Sequence, residues 1–223
     1  VLIPVNAALN FPGMDGSAAF DFSSVYFGQD FGDAVSLIFG KMNMIDIVSG
    51  KAFMGGAGID SFWNLTFVAP PTGTVPAYMI GVLTSVRTEE ATYRLWVYDP
   101  NSAVNKGFND AFANGVTIRG SIEFPVTVAG RAGHQGFTAL YSTQSGTDLA
   151  SLDGILVPSP NPRTVAVKNS RYYFGYSFDQ YLVQDFADPK RGVGLFGQAG
   201  FASDLGRGRA LAVRARQFAE GVE

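Results

Sequence analysis

The feature that most constrains the fold of this chain is an alternation of apolar and polar side chains with a period of two residues. The clearest example runs from Val116 to Val126, where the even positions are apolar or Gly and the odd positions include Arg119 and Glu123. Successive side chains of a β-strand point to opposite faces of its sheet. The pattern therefore predicts a strand with one apolar face and one polar face.

The same alternation recurs, and it predicts eight strands in all. They cover residues 20–31, 34–42, 78–87, 91–98, 116–126, 134–142, 171–182 and 193–201. The first of these has apolar residues on both sides, so its two faces cannot be assigned from the pattern. Short connections alternate with long ones at residues 43–76, 100–114 and 144–169. Strands that cross a membrane up and down show this alternation, and we expect the long set to face outside.

The composition indicates that water does not cover the whole surface. Charged residues make up 16% of the chain, whereas soluble globular domains carry about 25%. No stretch approaches the ~18 to 20 consecutive apolar residues of a membrane-spanning helix. A closed barrel is the other structure that pairs every backbone polar group within hydrocarbon. The sequence therefore predicts an all-β fold, an antiparallel transmembrane β-barrel.

Several other functional classes find little support in the sequence. The net charge of -3 and the lack of a basic run argue against nucleic acid as a partner. His134 is the only histidine and there is no cysteine, so neither a zinc cluster nor a Ser-His-Asp triad is indicated. A GxGxxG pattern from Gly192 to Gly197 lies inside an alternating run and predicts a glycine-rich strand. We expect no cofactor and no enzymatic activity.

The candidate binding residues are six charged residues on the less apolar faces of the predicted strands. They are Arg87, Arg94, Arg119, Glu123, Arg171 and Asp179. In a barrel this face lines the lumen, where guanidinium groups donate hydrogen bonds to sugar hydroxyls and carboxylates accept them. In a soluble β-barrel or sandwich that binds a small apolar ligand, they would be ordinary solvated charges. A small closed membrane barrel with a structural or lipid-modifying role is a third interpretation.

Two segments depart from the strand pattern. The connection over residues 43–63 has four glycines between Gly50 and Gly58, and we expect it to fold inward and narrow a channel. From Leu205 onward, four arginines occur among Ala and Leu with helix-like spacing. We therefore divide the chain into a barrel segment, residues 1–204, and an atypical tail, residues 205–223.

Several separated motifs resemble those of the carbohydrate-selective porins of the OprB family. They include Gly40-Lys41-Met42-Asn43, Gly55-Gly56-Ala57-Gly58-Ile59-Asp60, Phe62-Trp63-Asn64, Trp96-Val97-Tyr98-Asp99-Pro100 and Gly194-Leu195-Phe196-Gly197. The resemblance implies a sixteen-stranded barrel in the bacterial outer membrane that passes glucose and related sugars, with arginines and acidic groups at its constriction. It implies sugars and outer-membrane lipid as partners, and it leaves open a homo-oligomer.

The resemblance also concerns the extent of the barrel. Members of the family are longer, so we expect this chain to cover roughly the middle half, with about eight of the sixteen strands. Eight strands on their own close only into a barrel whose interior is filled by side chains. A sugar channel therefore requires strands in addition to the eight predicted here.

Overall fold

The computed structural model describes residues 24–43, 78–100, 108, 110–147, 167–185, 187 and 192–203. Within these ranges the chain forms ten β-strands. They are β1 (Val25–Phe31), β2 (Val35–Asn43), β3 (Tyr78–Arg87), β4 (Thr92–Tyr98), β5 (Thr117–Val128), β6 (Arg131–Ser142), β7 (Gly146–Thr147), β8 (Val167–Lys168), β9 (Arg171–Gln184) and β10 (Gly192–Ala202). No helix among these residues is long and apolar enough to cross a membrane.

Eight of the strands form one antiparallel sheet in the order β1-β2-β3-β4-β5-β6-β9-β10. All eight strands predicted from the alternation are present in it, so the all-β antiparallel prediction is confirmed. The alternation did not predict β7 and β8, which pair with each other in a separate two-stranded sheet. They lie within the long connection between β6 and β9, where each contributes only two residues.

The turn between β5 and β6 shows how local sequence fixes a hairpin. Val128 pairs with Arg131, which leaves Ala129 and Gly130 as a two-residue loop. Both loop residues have positive φ, 50° at Ala129 and 75° at Gly130. Two consecutive positive φ values give the backbone twist that matches the twist of the flanking strands. Ala129 and Gly130 therefore close a β-hairpin between β5 and β6.

The strand registers place the predicted apolar positions side by side on one face of the sheet. Ile122 lies opposite Phe137, and Phe137 lies opposite Tyr176 on the next strand. Large side chains of this face are exposed, including Ile118 at 46% and Phe174 at 56%. We call this the outer face, and we call the opposite one, which carries Arg94 and Arg119, the inner face.

The outer face differs in side-chain type across the sheet. On β2, β3 and β4 it carries mainly aliphatic side chains. On β5, β6, β9 and β10 it carries aromatic rings in contact, with centroids 5.2 Å apart between Phe137 and Tyr176 and 5.9 Å apart between Tyr172 and Phe201. Such tilted ring pairs add stabilising free energy beyond that expected from the apolar area they bury. Both halves are nonetheless apolar, as the alternation predicted.

The hydrophobic core lies on the inner face. Its members are Met42, Met79, Leu83, Trp96, Tyr98, Leu140, Tyr173 and Ala202. Tyr173 is accommodated by two glycines, because a Cβ atom at either Gly175 or Gly200 would overlap its ring. The inner face therefore carries a packed apolar cluster in addition to the charged residues that defined it in the sequence.

Two expectations fall on parts of the chain outside the described residues. They are the inward folding of the connection that follows Asn43 and the separate character of residues 205–223. The division of the chain at residue 204 therefore stays a prediction.

Candidate functional site: the inner face of the sheet

The antiparallel registers arrange the inner-face residues in rows that cross the sheet. One row contains Asp30, Ser36, Ser85, Arg94, Ser121 and Thr138. The next row, closer to the short turns, contains Arg87, Thr92, Glu123, Gly136, Ser177 and Gln198. We call these two rows the polar zone, since every member is charged, carries a hydroxyl or amide group, or is glycine.

The row on the other side, closer to the long connections, has a different chemistry. It contains Ile38, Leu83, Trp96, Arg119, Leu140 and Tyr173. Together with the neighbouring Met42, Met79 and Tyr98 it forms the apolar zone. Most of its side chains are buried, with Trp96 8% exposed and Tyr98 fully buried.

An ion pair stands in the polar zone. Arg94 Nη2 on β4 donates to Glu123 Oε1 on β5 over 3.2 Å, and the two side chains remain 26% and 23% exposed. The side chains meet diagonally, because the register places Arg94 opposite Ser121 and Glu123 opposite Thr92. The pair is thus partly accessible and has hydroxyl groups on both sides.

Arg119 has a different environment, although it belongs to the same strand as Glu123. Its guanidinium carbon lies 4.2 Å from the centre of the Trp96 ring, directly across the β4–β5 pair. Its Nε is buried and has no hydrogen-bond partner among the described residues. A guanidinium over the face of a Trp ring is attracted by the ring's quadrupole. Arg119 is therefore held within the apolar zone.

Arg87 lies at the end of β3, beside the turn that joins β1 to β2. Its backbone N–H donates to the Ala34 carbonyl over 2.7 Å. Its side chain is exposed and lines an open cleft together with Asp30, Asp33 and Ser36. This residue thus stands at the short-turn edge of the polar zone.

The two remaining candidates lie away from the ion pair. Asp179 on β9 faces His134 on β6, with Oδ1 2.9 Å from Nδ1. Arg171 lies at the opposite end of β9, across from Ser142, and is half-buried. The structure therefore brings Arg94 and Glu123 into contact, with Arg119 on the neighbouring row, and it places the other three candidates elsewhere on the inner face.

Two kinds of inner-face residue were not selected in the sequence analysis. The first is a set of buried aromatic residues, Trp96, Tyr98 and Tyr173. Trp96 and Tyr98 lie on the same face of β4 as Arg94, and Tyr173 lies on the same face of β9 as Arg171. The second is the set of paired hydroxyls, Ser36 with Ser85 at 2.6 Å and Thr117 with Ser142 at 2.8 Å. The alternation assigns these residues to the correct face, but it does not show which of them meet.

The donor set of this surface suits hydrogen bonding to a polar solute. Guanidinium groups, carboxylates and hydroxyls occur together in the polar zone. Among the described residues no group of three or more His, Cys, Asp or Glu side chains is placed to hold a metal ion.

Comparison with known proteins gives the family. The model of the family described as carbohydrate-selective porin, OprB family, matches residues 6–214. The chain belongs to the OprB family. Comparison of the sequence with curated proteins gave no match.

A solved structure shares the fold of this OprB-family chain. It is titled "High pH structure of Pseudomonas putida OprB", and it superposes with a TM-score of 0.58 and 16% sequence identity over 81% of this chain and 45% of that chain. The present chain thus spans less than half of the length of that porin. The eight-stranded sheet is a segment of a porin barrel, which accounts for an exposed apolar face on one side of it.

Membership in the OprB family bears on the competing interpretations. A soluble β-barrel or sandwich would turn its charged residues to solvent and pack its apolar residues inside. In the structure, Leu95 and Phe174 of the outer face are 52% and 56% exposed, and the hydrophobic core cluster lies on the charged face. The family and this arrangement both favour a porin.

Proposed function

We propose that this OprB-family segment lines part of an outer-membrane pore through which small neutral sugars such as glucose diffuse passively. In this proposal the pore needs no cofactor and performs no covalent step. The observation that carries it is the partly exposed Arg94–Glu123 ion pair, which lies among hydroxyl side chains on the face opposite the exposed apolar one.

The chemistry of the pair suits a polyol. A guanidinium fork donates hydrogen bonds to sugar hydroxyls, and a carboxylate accepts them, so one sugar can satisfy both. Since the two charges are 3.2 Å apart, the pair presents no large net charge to a passing ion. Ser85 and Ser121, which flank Arg94 in its row, supply further donors and acceptors. The polar zone therefore favours neutral solutes rich in hydroxyl groups.

The other residues take supporting roles in this proposal. Arg87 and Asp179 carry charge near the short-turn end of the pore and Arg171 carries it near the other end. Arg119 contributes positive charge close to the ion pair while its contact with Trp96 fixes its position. The outer face contacts membrane lipid, because exposed apolar side chains at these strand positions are the normal lipid contact of outer-membrane barrels.

The test uses the complete porin that contains this chain, reconstituted in liposomes and assayed by swelling in glucose. Glu123→Gln removes the acceptor charge and leaves Arg94 without its partner carboxylate. We expect a severalfold loss of glucose permeation together with increased permeation of anions. The matched control is Glu89→Gln in the turn between β3 and β4, where the same loss of charge occurs off the inner face.

Two results would contradict the proposal. One is a wild-type porin that admits no glucose. The other is unchanged glucose swelling in both Glu123→Gln and Arg94→Gln. Arg119→Ala is a less specific probe, because removing the guanidinium also exposes part of the Trp96 ring and so combines an effect on folding with one on permeation.

A further inference from the structure

A cleft opens at the short-turn end of the inner face, separate from the Arg94–Glu123 pair. It is bounded by the turn between β1 and β2 and by the end of β3, and its volume is about 270 Å³. Its polar side chains come from Asp30, Asp33, Ser36 and Arg87. Ligand sites in proteins commonly enclose about 300 Å³ or more, so this cleft suits a ligand of small size.

The side chains of the cleft carry both signs of charge. Two carboxylates accept hydrogen bonds, one guanidinium donates them, and the Ser36 hydroxyl does both. A divalent cation would face the Arg87 guanidinium, and an anion would face two carboxylates, so each would meet repulsion. A neutral ligand with several hydroxyl groups meets a donor or an acceptor at every one of these positions.

The walls of the cleft are tied together by backbone hydrogen bonds. Arg87 N–H donates to the Ala34 carbonyl, which joins the β3 end to the first turn. The turn that follows β3 is closed by Thr88, whose backbone N–H donates to the Ala91 carbonyl over 2.8 Å. Thr88 Oγ1 also accepts from the Ala91 N–H over 3.0 Å. A site whose backbone is held in this way loses little conformational freedom when a ligand binds.

The cleft is continuous with the polar zone. The hydroxyl of Ser36 lies 2.6 Å from that of Ser85 on the next strand. Ser85 lies opposite Arg94, the residue of the ion pair. A solute that leaves the Arg94–Glu123 pair toward the short turns therefore passes along hydroxyl groups into the cleft.

We propose that the cleft of Asp30, Asp33, Ser36 and Arg87 is a second sugar subsite at the short-turn mouth of the pore, one that binds monosaccharides. The subsite captures a sugar at this mouth before it reaches the Arg94–Glu123 pair. This inference rests on the proposed function, since it requires that sugars use the pore.

The test measures glucose binding from each side of a planar bilayer that holds the complete porin. The association rate of glucose is obtained from current fluctuations, with the sugar added first at the short-turn side and then at the other side. Asp30→Asn combined with Arg87→Gln removes one charge of each sign from the cleft. We expect the association rate from the short-turn side to fall severalfold and the rate from the other side to stay as in wild type.

The matched control is Glu90→Gln combined with Arg131→Gln, which makes the same change of charges at the same end but outside the cleft. Asp33→Asn alone provides a milder variant whose salt conductance confirms that the pore is assembled. Unchanged rates from both sides in an assembled Asp30→Asn/Arg87→Gln or Asp33→Asn pore overturn the subsite and leave the sugar pore standing. A wild-type pore with no glucose binding from either side overturns both proposals.

Discussion

The polar zone and the apolar zone share one face of the same strands, yet they differ in charge, exposure and packing. On β4, Arg94 and Trp96 are two residues apart and point the same way. The Arg94 side chain is 26% exposed and paired with a carboxylate, whereas Trp96 is 8% exposed and belongs to the core. One zone is partly exposed and the other is packed.

One strand face of this porin segment thus contains two different environments. Burying large aromatic and aliphatic side chains releases roughly 25 cal/mol per Å² of apolar area removed from water. The apolar zone supplies this stabilisation close to the long connections. The polar zone lacks this stabilisation, and its hydroxyl and charged groups stay accessible. Side-chain changes that compare one zone with the other separate the two roles.

The largest effect is expected for Trp96→Ala in the apolar zone. Truncating a buried Trp usually costs about 3–5 kcal/mol of unfolding free energy, and Arg119 would also lose the ring beneath its guanidinium. The control is Thr92→Ala, on the same strand and face but in the polar zone, with an expected cost within about 0.5 kcal/mol. Urea unfolding of the detergent-solubilised porin measures both. Equal losses would show that the two zones do not differ in packing.

An intermediate effect is expected for two pairs of hydroxyls, one in the polar zone and one beside Tyr98 of the apolar zone. Thr117 is fully buried and its Oγ1 donates to Ser142 over 2.8 Å. Ser142→Ala leaves that hydroxyl without its acceptor, at a cost of about 1–3 kcal/mol. The equivalent Ser36→Ala in the part-buried pair with Ser85 should cost about 1 kcal/mol or less, because water can replace the lost partner.

The double variant Thr117→Val/Ser142→Ala decides the cause of this effect. Replacing both partners by apolar groups removes the unsatisfied donor, so the double variant should regain most of the stability lost in Ser142→Ala. Unfolding free energies of the three variants are compared in the same detergent. A double variant that is less stable than Ser142→Ala would show that the unsatisfied Thr117 hydroxyl is not the cause of the lost stability.

The smallest effect on stability is expected for the Arg94–Glu123 pair. Partly exposed ion pairs usually couple by about 0–1 kcal/mol, so a double-mutant cycle with Arg94→Gln and Glu123→Gln should give a coupling energy in that range. The same variants should nonetheless alter permeation, as proposed above. A coupling energy of several kcal/mol would show that the pair contributes to folding stability on the scale of the buried core.

The sequence predicts the fold well because the outer face leaves a strong signal. Apolar residues at every second position can lie on one face only, and the registers confirm this by aligning Ile122 with Phe137 and Tyr176. On β1 the alternation does not distinguish the two faces, and the structure shows why. Phe27 and Phe31 lie on the outer face and Tyr26 on the inner face, so apolar rings occur on both sides.

The site is predicted less completely, since alternation assigns a face but not a neighbour. The contact of Arg119 with Trp96 depends on how β4 aligns with β5 across the long connection between them, and a shift by two residues would preserve the pattern while changing the contact. The cleft at Asp30 and Arg87 likewise depends on the alignment of three strands. Placement of all six charged candidates on one face was predictable, but their partners were not.

The Tyr173 ring has a consequence for the assembly of the glycine-rich strand β10. Gly200 leaves room for the ring, and its neighbours on the same side of β10 are Gln198 and Ala202. If β10 slid along β9 by two residues, one of these side chains would be driven into the ring. Four of the eleven residues of β10 are glycine, so the Tyr173 ring adds to the contact between Phe201 and Tyr172 in holding the register of this strand.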